Sequence, residues 1–187
     1  MQAWGDRLEG IGEVHRLTYA YKAAGRPFPP RLPTLVAEHL TAARPLDPAR
    51  LVLVGKSLGG RVGCVAAAEL AAAGTPPRAV VCLGYPLQSR AKTPTLRDGP
   101  LRELPVPALL IQGARDPLAP LDTLRQVLSE CPQDHVLHVV PDGDHSLRSR
   151  VRALRASGRS QDQLDHDALV AMHHHLAALL PVDDARS

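Results

Sequence analysis

An apolar run, Leu51-Val52-Leu53-Val54, leads directly into Gly55-Lys56-Ser57-Leu58-Gly59. A segment rich in small residues, Leu58 to Ala73, follows at once. Such a junction strongly limits what the chain can fold into. The strand must turn sharply into a helix, and a side chain at either glycine would collide with the neighbouring strand or helix. The tight turn pushes the serine hydroxyl into the open, the geometry of a nucleophile elbow. Gly60 and Gly63 continue the close packing. Two other readings of these residues are weaker. An incidental serine in a Gly-rich turn does not account for the strand before it and the helix after it. A phosphate-binding loop needs a glycine five residues before Gly55, where Arg50 stands, and the apolar run leaves no room for a phosphate cradle.

Four further apolar runs have strand length: 17–21, 79–83, 108–111 and 136–140. The runs at 51–54, 79–83 and 108–111 are almost wholly apolar, as strands covered on both faces must be. Helical segments alternate with them. Leu32, Leu35, Val36 and Leu40 have helical spacing across 32–43, and the segment 58–73 ends at Gly74, a good helix stop. Segments 122–129 and 163–180 read as further helices, the last stopping before Pro181. This alternation predicts an α/β fold, a doubly wound and mostly parallel sheet flanked by helices. The 187 residues, 44% hydrophobic and 22% charged, suit one domain over 1–187. The longest connection, 86–107, has room for a short helix but not for a lid domain.

Composition narrows the function. A net charge of +3 is below the footprint of a nucleic-acid binder, and 3% aromatic residues are few for base stacking. The Arg-rich stretch 148–159 reads as a solvated basic loop. No apolar run approaches the ~20 residues of a membrane span, and residues 1–10 lack the apolar centre of a signal peptide. A cytoplasmic protein is expected. Cys64, Cys82 and Cys131 lack metal-ligand spacing and are odd in number, so buried free thiols are expected. His173, His174 and His175 point about 100° apart on a helix and cannot converge on one ion. Neither a metal nor a cofactor is expected.

Two more residues complete a chemistry around Ser57. Asp116 lies just past the run 108–111, in Gln112-Gly113-Ala114-Arg115-Asp116-Pro117. His145 lies just past the run 136–140, in Asp142-Gly143-Asp144-His145. Active sites of parallel sheets gather at the carboxyl ends of strands, and the chain order serine, acid, histidine matches the elbow's usual partners. His145 would take the proton of Ser57, and Asp116 would orient the imidazole. Plainer roles exist: a turn-forming Asp-Pro for Asp116, a surface loop histidine for His145. Their order and their positions after strands favour the catalytic roles. Asp142 and Asp144 are fallback acids, too near His145 in sequence for the usual geometry. The backbone N–H of Leu58 is one expected oxyanion donor. A second donor should come from a loop after an earlier strand, and no such loop is found in the sequence.

Five segments carry a family resemblance: Thr18–Tyr21, Gly55–Arg61, Leu83–Leu87, Gln112–Pro117 and Gly143–Ser146. They resemble the dienelactone-hydrolase-like branch of the α/β hydrolases that includes testis-expressed protein 30 and its bacterial relatives. The resemblance implies Ser57, Asp116 and His145 as the triad, and a reaction class without a substrate. It also implies further strands and a His-Gly loop ahead of the first helix, whose middle Met1-Gln2-Ala3-Trp4 resembles. On that comparison the chain is a shortened or degenerate member, lacking its first strands. The expected function is a serine hydrolase of an ester, thioester or related acyl compound, its partner a small acyl substrate. The alternatives are a non-catalytic interaction module of the same fold and, last, a nucleic-acid binder using 148–159.

Overall fold

The computed structural model describes residues 2–89 and 91–179. Four parallel strands form one sheet: β1 (Val52–Lys56), β2 (Ala79–Leu83), β3 (Ala108–Gly113) and β4 (Val136–Val140), in that spatial order. Because each strand adds on the same side of the last, right-handed crossovers place every connecting helix on one face. These are α4 (Leu58–Ala72), α5 (Gly99–Arg102) and α6 (Leu121–Ser129), with α3 (Leu32–Ala43) packed outside α4. The opposite face is left for helices from the ends of the chain, α1 (Gln2–Leu8) and α8 (Gln161–Ala177). Arg7 of α1 bonds Asp162 and Asp165 of α8 and ties the two together.

The period-two alternation of the strands divides the core. Val80, Cys82, Ala108 and Leu110 face α4, α5 and α6. Val81, Leu83, Leu109 and Ile111 face α8. All eight are fully buried, which is why β2 and β3 read as continuous apolar runs rather than as alternating ones. Cys64 and Cys82 lie buried with their sulfurs 3.8 Å apart. The neighbouring sulfur and burial raise the Cys64 thiol well above its ordinary range. Cys131 is only half-buried and donates to the Val127 carbonyl.

Two expectations are corrected. Residues 17–21 do not form a strand: a single helical turn, α2 (Ala20–Ala23), replaces its second half. The apolar pattern here serves ring packing. Tyr19 stacks on Tyr21 and on His39 of α3, and its hydroxyl lies 3.2 Å from the His39 imidazole. Burial pushes the Tyr19 hydroxyl up to about 12 and holds His39 below its usual range. Among the described residues no strand pairs with this segment, and a lone strand has no ladder to hold it. The stretch 148–159 is not all loop, since α7 (Val151–Ser157) lies within it. Gly158 closes α7 at φ +65°. Ser160 and Gln163 then form a capping box that starts α8 two residues before its expected start. Leu180 and Pro181, expected to end that helix, lie outside the described residues. The connection 86–107, which has room for a short helix, contains α5. No helix of the described residues is long and apolar enough to cross a membrane.

Leu110 sits at the centre of the core, fully buried between helix-covered strands. The Leu110→Ala variant is expected to lose about 2–5 kcal/mol, read from urea denaturation. A loss under about 1 kcal/mol would mean that this core is not the close-packed one described.

Candidate active site

The site is built at the carboxyl edge of the sheet, from the loops after β1, β3 and β4. After β1 the backbone turns so tightly that a Cβ on Gly55 would lie 2.2 Å from the carbonyl carbon of Gly59. Only glycine allows β1 and α4 to approach this closely. Ser57 adopts φ 52°, ψ −120°, a conformation that L side chains rarely hold. It is fixed there from both sides. Its N–H donates to Leu83 of β2 at 2.9 Å, and its carbonyl accepts from Gly60 at 3.0 Å and Arg61 at 3.3 Å. The backbone N–H of Leu58, first residue of α4, makes no hydrogen bond among the described residues, as expected for a helix start.

His145 stands over Ser57. Its Nε2 is 2.8 Å from Ser57 Oγ, and its Nδ1 is 2.7 Å from Asp116 Oδ2. Asp116 is 2% exposed. The three residues expected from the sequence to act together thus form one hydrogen-bonded chain, from a half-exposed hydroxyl to a buried carboxylate. The loops that carry them are bonded to each other through backbone: Ala114 N–H to the Val140 carbonyl at 3.0 Å and Arg115 N–H to the Gly143 carbonyl at 2.7 Å. Gly84, just past β2, lies beneath the histidine, where a Cβ would come within 2.6 Å of the His145 carbonyl.

The fallback acids are occupied elsewhere. Asp142 pairs with Arg150 and Arg115, and Arg150 above all holds its carboxyl far below the usual range. Asp144 Oδ1 accepts the N–H groups of Ser146 and Arg148, which shapes the histidine loop. Leu147 in that loop has φ 65°. Of the three adjacent histidines, the rings of His173 and His174 meet edge to face, while His175 is half-buried with its Nε2 enclosed and unbonded. Lys56, within the elbow, reaches Ser146 Oγ at 3.2 Å.

One residue escaped the sequence reading. Gln112, at the end of β3, is fully buried. Its amide lies between the backbone N–H of Tyr85 and the carboxylate of Asp116. Only its position four residues before Asp116, in an otherwise apolar strand, signalled it.

The contact at Gly55 is backbone against backbone, so no side-chain rearrangement can relieve it. A Gly55→Ala variant should lose about 3 kcal/mol or more in urea denaturation, at the upper end of overpacking costs. An unchanged denaturation midpoint would show that the turn is looser than described.

Comparison with known proteins places this architecture. The model of the family described as alpha/beta hydrolase domain matches residues 1–177. Among solved structures, a dienelactone hydrolase-like promiscuous phosphotriesterase from metagenomic libraries superposes with a TM-score of 0.55 at 19% identity. That match covers 80% of this chain and 62% of the other. An alpha-beta serine hydrolase homologue from Coxiella burnetii gives 0.52 at 13% identity, covering 83% and 63%. An E-2-(acetamidomethylene)succinate hydrolase gives 0.51 at 14% identity, covering 70% and 73%. The chain therefore spans under two thirds of the length of the first two, and at these identities the likeness is one of fold. With the family match extending over nearly its whole length, the chain belongs to the alpha/beta hydrolase domain family.

Proposed function

We propose that this chain is a serine hydrolase cleaving an ester, thioester or related acyl compound, with Ser57 as nucleophile, His145 as base and Asp116 as orienting acid. The observation that carries the reading is the unbroken path from Ser57 Oγ through both ring nitrogens of His145 to Asp116. A serine hydroxyl is a weak nucleophile until a neighbouring base accepts its proton. Nε2 can do so only if Nδ1 carries the ring's other proton, and Asp116 Oδ2 selects that tautomer by accepting it.

The steps follow from these contacts. Ser57 Oγ attacks the acyl carbon while its proton passes to His145 Nε2. The Asp116 carboxylate stabilises the imidazolium that forms. The acyl oxygen takes up negative charge near the unbonded N–H of Leu58, which serves as one oxyanion donor. The imidazolium then protonates the leaving group, and an acyl-enzyme remains on Ser57. Water, deprotonated by His145, releases the acid and restores the hydroxyl. The strained backbone at Ser57 supports the same reading, because such conformations persist where the surroundings hold them and cluster at functional sites. The connection between β2 and β3 is pinned by a bridge between Gln88 and Leu96 and by the Tyr85 hydroxyl on the Arg97 carbonyl. A site bordered by a connection too short for a lid domain suits small or exposed acyl groups.

Treatment with a fluorophosphonate is expected to add one adduct to Ser57, seen by intact mass, and none to a Ser57→Ala variant. Replacing His145 by alanine should slow labelling by roughly 10³-fold or more. A folded wild-type chain that takes no adduct would exclude catalysis by this chain and leave the non-catalytic interaction module.

A further inference from the structure

We infer that Gln112 is a positioning residue for the acid of this site: its amide sets the orientation of the Asp116 carboxylate. The inference rests on the proposed roles of Ser57, His145 and Asp116. The bonding pattern allows only one arrangement of the amide. The backbone N–H of Tyr85 can only donate, and it meets Gln112 Oε1 at 2.9 Å. The NH2 end therefore faces Asp116, and Nε2 donates to Oδ2 at 2.5 Å. Turning the amide over would set a carbonyl oxygen against a carboxylate and an NH2 against an N–H, leaving both pairs unbonded.

Asp116 Oδ2 thus accepts from two donors, the imidazole of His145 and the amide of Gln112. Oδ1 accepts the backbone N–H of Leu118 at 2.8 Å. The carboxylate is held by donors from its own loop and from the end of β3, before the histidine adds a third. A buried carboxylate is costly unless its oxygens are bonded, and Gln112 supplies one of those bonds. It also shares Oδ2 with the imidazole and so tempers the pull of the carboxylate on the imidazolium. The same amide carries the Tyr85 end of the loop after β2, whose preceding residue, Gly84, underlies the His145 backbone. One side chain therefore couples the loops after β2, β3 and β4.

Two variants separate this role from simple packing. Gln112→Met keeps the volume and removes the amide. Gln112→Glu keeps an acceptor for Tyr85 and places a second carboxyl against Asp116. Loss of the competing donor should let the pair hold its proton more tightly. In the Met variant, the proton between His145 Nδ1 and Asp116 Oδ2 should resonate further downfield by NMR than in the wild type, the mark of a stronger hydrogen bond once the competing donor is gone. The plateau rate of labelling should fall about tenfold through lost orientation. The Glu variant should label like wild type at low pH, where its carboxyl is protonated and can donate, and lose labelling as pH rises and that proton leaves. A Met variant that is less stable but keeps the wild-type proton resonance and labelling rate would overturn the inference and leave Gln112 a packing residue. The proton resonance is read whether or not Ser57 is reactive. An unlabelled wild type would therefore refute the hydrolase reading, while the Met variant would still decide the role of Gln112.

Discussion

The closeness of β1 and α4 is the constraint on which the site depends. Their backbones meet at Gly55, where a Cβ would fall 2.2 Å from Gly59 and 2.3 Å from the nitrogen of Gly60. With strand and helix that near, the connecting residue has no ordinary conformation available, and Ser57 takes φ 52°. Three backbone bonds hold it, one to β2 and two from the first turn of α4. Strain of about 1–3 kcal/mol is the expected cost of such a residue, and it must be offset by the surrounding packing. The fully buried strands β2 and β3 supply that packing. The apolar core and the exposed hydroxyl are in this sense one feature, since a looser sheet would let Ser57 relax and turn its side chain away.

The second constraint is the buried charge. A carboxylate taken out of water is costly unless its oxygens are bonded. Asp116 meets this requirement with the Leu118 N–H, the Gln112 amide and the His145 ring. Two of these donors come from residues within four positions of Asp116 itself. The acid is thus satisfied mainly by its own strand and loop, and the histidine is the partner left free to exchange a proton on its other nitrogen.

What the sequence disclosed and what it hid follow from the range of the interactions. The elbow was legible because its glycines, its preceding strand and its following helix are contiguous. The strands β2 and β3 were legible because burial on both faces leaves no polar position within the run. The places of Asp116 and His145 followed from strand ends, a rule of parallel sheets. Residues 17–21 misled because Tyr19 and Tyr21 alternate with small or polar neighbours as a strand would, while their rings pack on α3. Helix α7 was missed because three of the arginines of 148–159, Arg150, Arg152 and Arg155, flank or interrupt its apolar residues, Val151 and Leu154 among them. Gln112 was hidden for a different reason. Its partners, Tyr85 and Asp116, stand 27 and 4 residues away in sequence, and no local pattern marks an amide that bonds both.

The sheet itself decides how far the site can be varied. Among the described residues β1 lies at the margin of the sheet and pairs only with β2. In a parallel ladder, alternate residues direct their backbone groups to opposite neighbours. The Leu51 carbonyl and the Ser57 N–H bond toward β2, so Val52, Val54 and Lys56 direct theirs the other way. Their side chains are half-buried, whereas those of β2 and β3 are wholly buried. Ser57 thus follows a partly enclosed strand, and Asp116 follows a fully enclosed one. Apart from Gly55, substitutions on β1 fall at partly buried side chains rather than at the fully buried centre of the sheet. Substitutions on the β3 side disturb Asp116 and the core together, because the same strand that fills the centre with Leu109, Leu110 and Ile111 ends in Gln112.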